Sequence, residues 1–249
     1  MSEILKDNGV VLKKRNYRET SNLVSIFSET HGKINLIAKG VRTPRSKLSA
    51  VLQPINFIEF VYYKKITRDL QFLSSADFVN DFSRIKSDLK KIQTAFALLE
   101  LTNIFVHEDE SNPSLFRKLI ESLISINDFS TQPQIFLVFY IIHLMESSGY
   151  PIVHKICPSC NKNILLHEIQ KYFSKHFGVI CNECGKSINE SNKLNVHQME
   201  LISKCNMGEI SELEKINIDD LFLKETLGIL EVYISQHVNE FRGFKSLIV

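Results

Sequence analysis

Two Cys-x-x-Cys knuckles, Cys157-Pro158-Ser159-Cys160 and Cys181-Asn182-Glu183-Cys184, stand twenty residues apart. No other feature constrains the local fold as tightly. Two intervening residues let both sulfurs of a knuckle face one ion, and two knuckles supply the four soft ligands of a closed tetrahedral zinc site. Pro158 in the first and Gly185 after the second suit the sharp turns that aim sulfur inward. A redox pair needs only one knuckle, and disulfides need an oxidising compartment. The spacing therefore predicts one structural zinc per chain, held by Cys157, Cys160, Cys181 and Cys184 in a module spanning about 155–190. Four protein ligands leave no position for water, so the metal is expected to hold the fold and do no chemistry. His167, His176 and His197 lie nearest the module and read as surface or core residues. The fifth cysteine, Cys205, reads as a small core residue.

The rest of the chain divides by hydrophobic period. Over the first 80 residues, short apolar runs near 9–15, 22–28, 33–39, 54–63 and 70–77 are separated by turn chemistry such as Thr30-His31-Gly32. Alternation is plain in Lys33-Ile34-Asn35-Leu36 and in Ile55, Phe57, Glu59, Val61 and Tyr63. This pattern predicts a small closed barrel of the oligonucleotide-binding type, and an SH3-like barrel fits it almost as well. After Asp77 the period becomes helical. Ile92, Phe96, Leu99 and Val106 form one stripe, and Ser111-Asn112-Pro113 opens a second helix through Leu115, Leu119 and Leu123. A third helix runs from Gln132-Pro133 to Gly149-Tyr150-Pro151, and Leu223, Leu227, Leu230 and Ile234 mark a last one. The expected class is α+β: a barrel over 1–80, then a mainly helical domain over 81–249 with the zinc module embedded in it.

The apolar run Ile135 to Ile142 is too short to cross a bilayer and reads as a buried core helix. The opening residues lack the apolar stretch of a secretory leader. With cysteines suited to a reducing compartment, the expected location is the cytoplasm.

Charge is unevenly spread. Residues 1–80 hold 13 Lys/Arg against 7 Asp/Glu, whereas residues 81–249 hold 17 against 21. A basic front suggests a polyanionic partner. Ten of its cations fall in three clusters. Lys39, Arg42, Arg45 and Lys47 share a loop marked by Gly40 and Pro44, free of acids and supplied with Thr43 and Ser46 hydroxyls. Lys13, Lys14, Arg15 and Arg18 surround Tyr17, and Lys64 and Lys65 follow Tyr62 and Tyr63. Guanidinium groups bind phosphate oxygens in pairs, and aromatic faces stack on unpaired bases. These ten cations are the candidate DNA contacts, although the tyrosines could equally be half-buried barrel residues.

Catalytic sets are hard to assemble. Glu108-Asp109-Glu110 and Asp219-Asp220 could hold magnesium in principle, but they adjoin helix ends, where acids are commonly solvated or capping. No phosphate loop or nucleophile elbow is present in the sequence. The expectation is a protein that is not an enzyme.

The ordered set Gly9-Val10-Val11-Leu12, Tyr17-Arg18-Glu19-Thr20, Phe27-Ser28-Glu29-Thr30-His31-Gly32-Lys33, Ala38-Lys39-Gly40-Val41-Arg42, Ser46-Lys47-Leu48 and Leu52-Gln53-Pro54 resembles the bacterial RecO recombination-mediator family. The two knuckles, His237 and Phe244-Lys245-Ser246-Leu247 extend the likeness over nearly the full chain. Arg18 departs from it, at a position where glycine is expected. The resemblance implies an oligonucleotide-binding barrel and a helical domain with a zinc finger. It implies binding to single- and double-stranded DNA at the nucleoid and annealing of complementary strands in the RecF pathway. The implied partners are RecR, the single-stranded DNA-binding protein and RecA, with no membrane. Two other readings stay open from the residues alone: a protein-docking adaptor, and an RNA-binding factor.

Overall fold

The computed structural model describes residues 3–65, 67–68, 70–128, 132–164, 172–189, 191–207, 210–213, 216 and 218–247. His167 lies outside them. The chain forms two compact units, Met1–Asn127 and Asp128–Val249.

In the first unit, strands β1 (Glu3–Tyr17), β2 (Ser21–Ser28), β3 (Gly32–Ala38), β4 (Phe57–Lys64) and β5 (Gln71–Asn80) close in the order β1-β2-β3-β5-β4, with helix α1 (Leu48–Val51) between β3 and β4. β1 is long enough to pair with β2 through one half and β4 through the other, and its register shifts between Val11 and Lys13. A bulge of this kind bends a strand so that one chain can serve two sheet segments. A parallel β3–β5 pairing at Leu36↔Gln71 and Ile37↔Phe72 completes the circuit. This is the oligonucleotide-binding topology, which decides between the two barrels that the pattern allowed.

Alternation along each strand sends Val11, Val24, Ile26, Leu36, Ile58, Phe60 and Tyr62 inward, and α1 adds Val51 and Leu52. Tyr62 is therefore a core residue, stacked on Phe60 with ring centroids 5.6 Å apart, and burial pushes its hydroxyl up to about 12. Buried Asp7 in β1 accepts from the Ser28 hydroxyl, Thr30 Oγ1 at 2.7 Å and His31 Nδ1 at 3.0 Å. Burial opposes its charge most strongly, but the bonds from His31, Ser28, Thr30 and the Asn8 amide outweigh it, and its pKa falls below the usual carboxylate value.

α2 (Ser83–Lys86) and α3 (Leu89–Phe105) follow, the latter capped by Asp88, whose carboxylate accepts the Lys91 amide at 2.9 Å. Ile92 and Phe96 of the expected stripe are only half-buried. Ala95, Leu98, Leu99 and Thr102 form the more deeply buried face. α4 (Pro113–Asp128) starts where Ser111-Asn112-Pro113 predicts, with Asn112 accepting the Leu115 amide at 3.0 Å. Its Phe116 ring meets Phe27 edge-on at 5.4 Å.

The second unit begins with α5 (Gln134–Ser147), where every residue from Ile135 to Ile142 is buried. A helix apolar all round belongs inside a core. No helix among the described residues is long and apolar enough to cross a membrane. Short strands β6 (Tyr172–Ser174) and β7 (Gly178–Ile180), helix α6 (Asn182–Ser187) and strand β8 (Ser191–Lys193) follow, with a sheet in the order β7-β6-β8. Helices α7 (Val196–Met207), α8 (Ile210–Leu213) and α9 (Asp220–His237) finish the unit. Cys205 is wholly buried in α7, and burial alone pushes its thiol up, which leaves it inert as a nucleophile.

Candidate nucleic-acid interface and metal centre

The bulge and the pleat decide which cations share a face. Lys13 pairs with Ser25, which pairs with Asn35, and Arg15 pairs with Leu23, which pairs with Ile37. Lys13, Arg15, Ser25, Lys33 and Asn35 line one groove of about 270 Å³, with Glu108 at its side. Lys14, between Lys13 and Arg15, takes the alternate direction. Its ammonium donates to the Ser49 carbonyl at 3.5 Å, and burial lowers its pKa. Lys13 and Arg15 thus share a face that Lys14 does not.

The basic loop is tied to the β1–β2 turn. The Arg42 amide donates to the Thr20 carbonyl at 3.0 Å and its Nη1 donates to the Arg18 carbonyl at 3.2 Å. Arg18 has φ +53°, a left-handed conformation that side chains other than glycine, asparagine or aspartate rarely adopt. That is why glycine suits the position. Arg45 and Lys47 are exposed farther along the loop.

Phe72 gathers cations from two loops. Lys39 Nζ lies 4.4 Å from its ring centroid and the Arg68 guanidinium lies 5.4 Å away. Gln71 holds Lys65 and Arg68: its side chain accepts the Lys65 amide at 2.8 Å and donates to the Lys65 carbonyl at 3.2 Å and to the Arg68 carbonyl. Lys64, Lys65, Arg68, Lys33 and His31 border a second cavity, of about 440 Å³. Lys33, Arg68 and Phe72 escaped the sequence reading. The alternation Lys33-Ile34-Asn35-Leu36 carries the signal for Lys33, because Ile34 and Leu36 face the core and their neighbours must face out. Arg68 has no such marker. Its place depends on the parallel β3–β5 pairing, which adjacent residues do not reveal.

Three of the acids singled out for metal chemistry are engaged otherwise. Asp219 caps α9, accepting the Phe222 amide at 2.8 Å. Glu108 accepts from Asn35 Nδ2, and Asp109 lies 3.4 Å from Lys64 Nζ.

The four knuckle sulfurs do converge. They lie within 4.8 Å of one another, with Cys160 and Cys181 Sγ 3.7 Å apart. Tetrahedral thiolates at zinc–sulfur distances of about 2.3 Å stand roughly 3.8 Å apart, so the geometry fits such an ion. The first knuckle is closed by the Asn161 amide donating to the Cys157 carbonyl at 2.8 Å, with Asn161 at φ +59°. In the second, the Cys184 amide points at Cys181 Sγ at 3.5 Å. Gly185 does not serve a turn, contrary to the sequence reading. A Cβ there would stand 2.1 Å from Cγ of Tyr172, so glycine is required because the ring lies on the backbone.

Electrostatics favour a cation in this cluster. Burial opposes ionisation of Cys157, but donation from backbone amides at Cys181, Ser159 and Cys160 outweighs it and brings the thiol down to about 7. Ser159 pulls Cys184 down as well, yet burial and the Cys160 and Cys181 sulfurs prevail and push it to about 12. Four sulfurs this close cannot all carry charge without a positive ion among them. Among the described residues no histidine joins the group. His176 and His197 are exposed, against Phe177 and Phe222 respectively.

These features define a class: an oligonucleotide-binding-type barrel joined to a helical part with a four-cysteine site able to hold a metal ion. Family models described as "Recombination protein O N terminal" and "Recombination protein O C terminal" match residues 1–82 and 86–247, and the chain belongs to the RecO family of DNA repair proteins. It is similar to the DNA repair protein RecO of Alkaliphilus metalliredigens, 31% identical over 245 residues, covering 98% of this chain and 97% of that one. It is also similar to the RecO proteins of Oceanobacillus iheyensis, 26% identical over 241 residues (96% and 89% covered), and Clostridium perfringens, 28% identical over 184 residues (74% and 73%).

Proposed function

We propose that the chain is a recombination mediator without turnover of its own. It binds single- and double-stranded DNA on the cationic side of the barrel and anneals complementary strands. With RecR it helps RecA replace the single-stranded DNA-binding protein, in the cytoplasm at the nucleoid. The observation that carries this reading is the shared groove of Lys13, Arg15 and Lys33 across β1 to β3. Arg18, Lys39, Arg42, Arg45, Lys47, Lys64, Lys65 and Arg68 extend the cationic surface, and exposed Tyr63 and half-buried Phe72 offer apolar faces beside it. Lys14 contributes charge from the Ser49 side.

Annealing brings two anionic chains together. A cationic surface lowers that repulsion while base edges stay free to pair. The ion at Cys157, Cys160, Cys181 and Cys184 is zinc, one per chain, acting only as a support.

The deciding experiment mixes two complementary oligonucleotides, one coated with single-stranded DNA-binding protein, and follows annealing by fluorescence. With about five phosphate contacts, log affinity for one strand falls against log salt with a slope near −3.5. A flat salt dependence sinks the reading. Replacing Arg42, Arg45 and Lys47 together with alanine weakens binding whatever the strand sequence, and unchanged affinity moves the site elsewhere.

A further inference from the structure

We infer that residues 107–110 form an anionic strap on the barrel, and that Glu108 and Asp109 compete with nucleic-acid phosphates for its cations and so limit how tightly the face holds a strand. The inference rests on the barrel being the DNA face.

The segment joining α3 to α4 runs along β3. Glu108 makes strand-like bridges with Gly32 and Lys33, and the Lys33 amide donates to the His107 carbonyl at 3.1 Å. Gly32, at φ +70°, lies so close that a Cβ would stand 2.3 Å from the Glu110 carbonyl oxygen. Only glycine admits the strap there. Once docked, the strap places two carboxylates among cations. Glu108 Oε1 accepts from Asn35 Nδ2 at 2.5 Å, and Asp109 Oδ1 lies 3.4 Å from Lys64 Nζ. Lys33, whose basicity burial lowers and Glu108 partly restores, donates to the Asn103 carbonyl at 2.9 Å.

Lys33, Asn35 and Glu108 line both cavities of the face. Lys13 and Arg15 lie on one side of this shared rim, and Lys64, Lys65 and Arg68 on the other. A phosphate moving across β3 must therefore pass carboxylates that are held where its own oxygens would bind. A surface that anneals strands must also release the duplex, and a fixed anion at the centre of the groove weakens the final complex without removing the cations that capture single strands.

The test is the double variant Glu108→Gln with Asp109→Asn. Glutamine keeps an acceptor oxygen for Asn35. Asparagine is among the residues best tolerated at the φ of +57° found at Asp109. Unchanged thermal unfolding verifies that the fold is kept. The control, Glu225→Gln with Glu240→Gln, changes net charge equally at two exposed sites of the second unit. Single-strand affinity of the strap variant rises about fivefold at low salt, and the gain shrinks as salt is added. The salt slope steepens by about 1.4, the equivalent of two further phosphates. The control rises less than about twofold, because neither of its carboxylates belongs to the strap. Equal gains in both variants, no gain in the strap variant, or a gain indifferent to salt would each overturn the strap while leaving the DNA face standing. Wild-type protein that shows no salt-sensitive binding overturns both.

Discussion

The barrel buries Val24, Ile26, Leu36, Ile58 and Phe60 to 1% exposure or less, and α1 closes over them. Around the sulfurs of the β6–β8 module the described residues form a small buried cluster, Cys157, Ile164 and Ile180, ringed by partly buried Cys160, Tyr172, Cys181, Cys184 and Ile188, while Phe173 and Val179 are buried outside that cluster. One region draws its stability from apolar area, at about 1.5–3 kcal/mol for each large side chain fully buried. The other gathers four sulfurs around a smaller apolar cluster, and those sulfurs can all ionise only with a positive ion among them. On the proposed function the barrel would keep its shape with a changing polyanion on its surface, whereas the module would be held by a ligand bound once.

That contrast breaks most visibly on metal removal. Closing a four-cysteine site contributes on the order of 10 kcal/mol of apparent binding energy at neutral pH. Chelation, or Cys160→Ser, should open residues 155–190 to protease while the barrel stays resistant. Elemental analysis finding no zinc in protein purified without chelator would end the claim. Next in size, Phe60→Ala should cost the barrel about 3–5 kcal/mol in denaturant unfolding, with added zinc giving no rescue.

Gly185→Ala sharpens the comparison from the other side. Its methyl group collides with Tyr172, costing about 1–3 kcal/mol, and should weaken metal retention in a competition assay without moving barrel unfolding. Asp7→Asn should cost about 1–2 kcal/mol at neutral pH. Asp7 has a depressed pKa when folded, so its contribution is present above the unfolded carboxylate value of about 3.9 and disappears as pH falls through the lower folded value. Stability curves of wild type and variant should converge in acid, and parallel curves would refute the linkage. The smallest effect is expected for Arg18→Gly, a gain of about 0.5–1 kcal/mol from relief of the left-handed backbone, with slightly weaker strand binding.

Local chemistry made much of this legible in the sequence. The knuckle spacing located the sulfur cluster because two turns and four thiols suffice to describe it. Strand alternation separated core from surface in Lys33-Ile34-Asn35-Leu36, but β2 is buried at every position except Ser25, and in β4 the set Phe57, Glu59, Val61 and Tyr63 lies on the outer side while Ile58, Phe60 and Tyr62 fill the core. Asn112 before Pro113 marked the start of α4 because a cap acts over three residues. Long-range pairing was not legible. Nothing beside Arg68 announces that Phe72 will lie next to Ile37, or that Gly32 is small because Glu110 will lie against it. Gly185 reads as a turn residue for the same reason: Tyr172, the ring it accommodates, is thirteen positions away.

Gln71 has a consequence for the kinetics of the face. By bonding to both the amide and the carbonyl of Lys65 and to the Arg68 carbonyl, it restrains those two residues in the folded barrel. Much of the entropy of arranging these two residues is thus surrendered on folding, and on the proposed DNA face an encounter at Arg68 would have less disorder left to remove. Severing that staple would leave the charge in place and slow its capture.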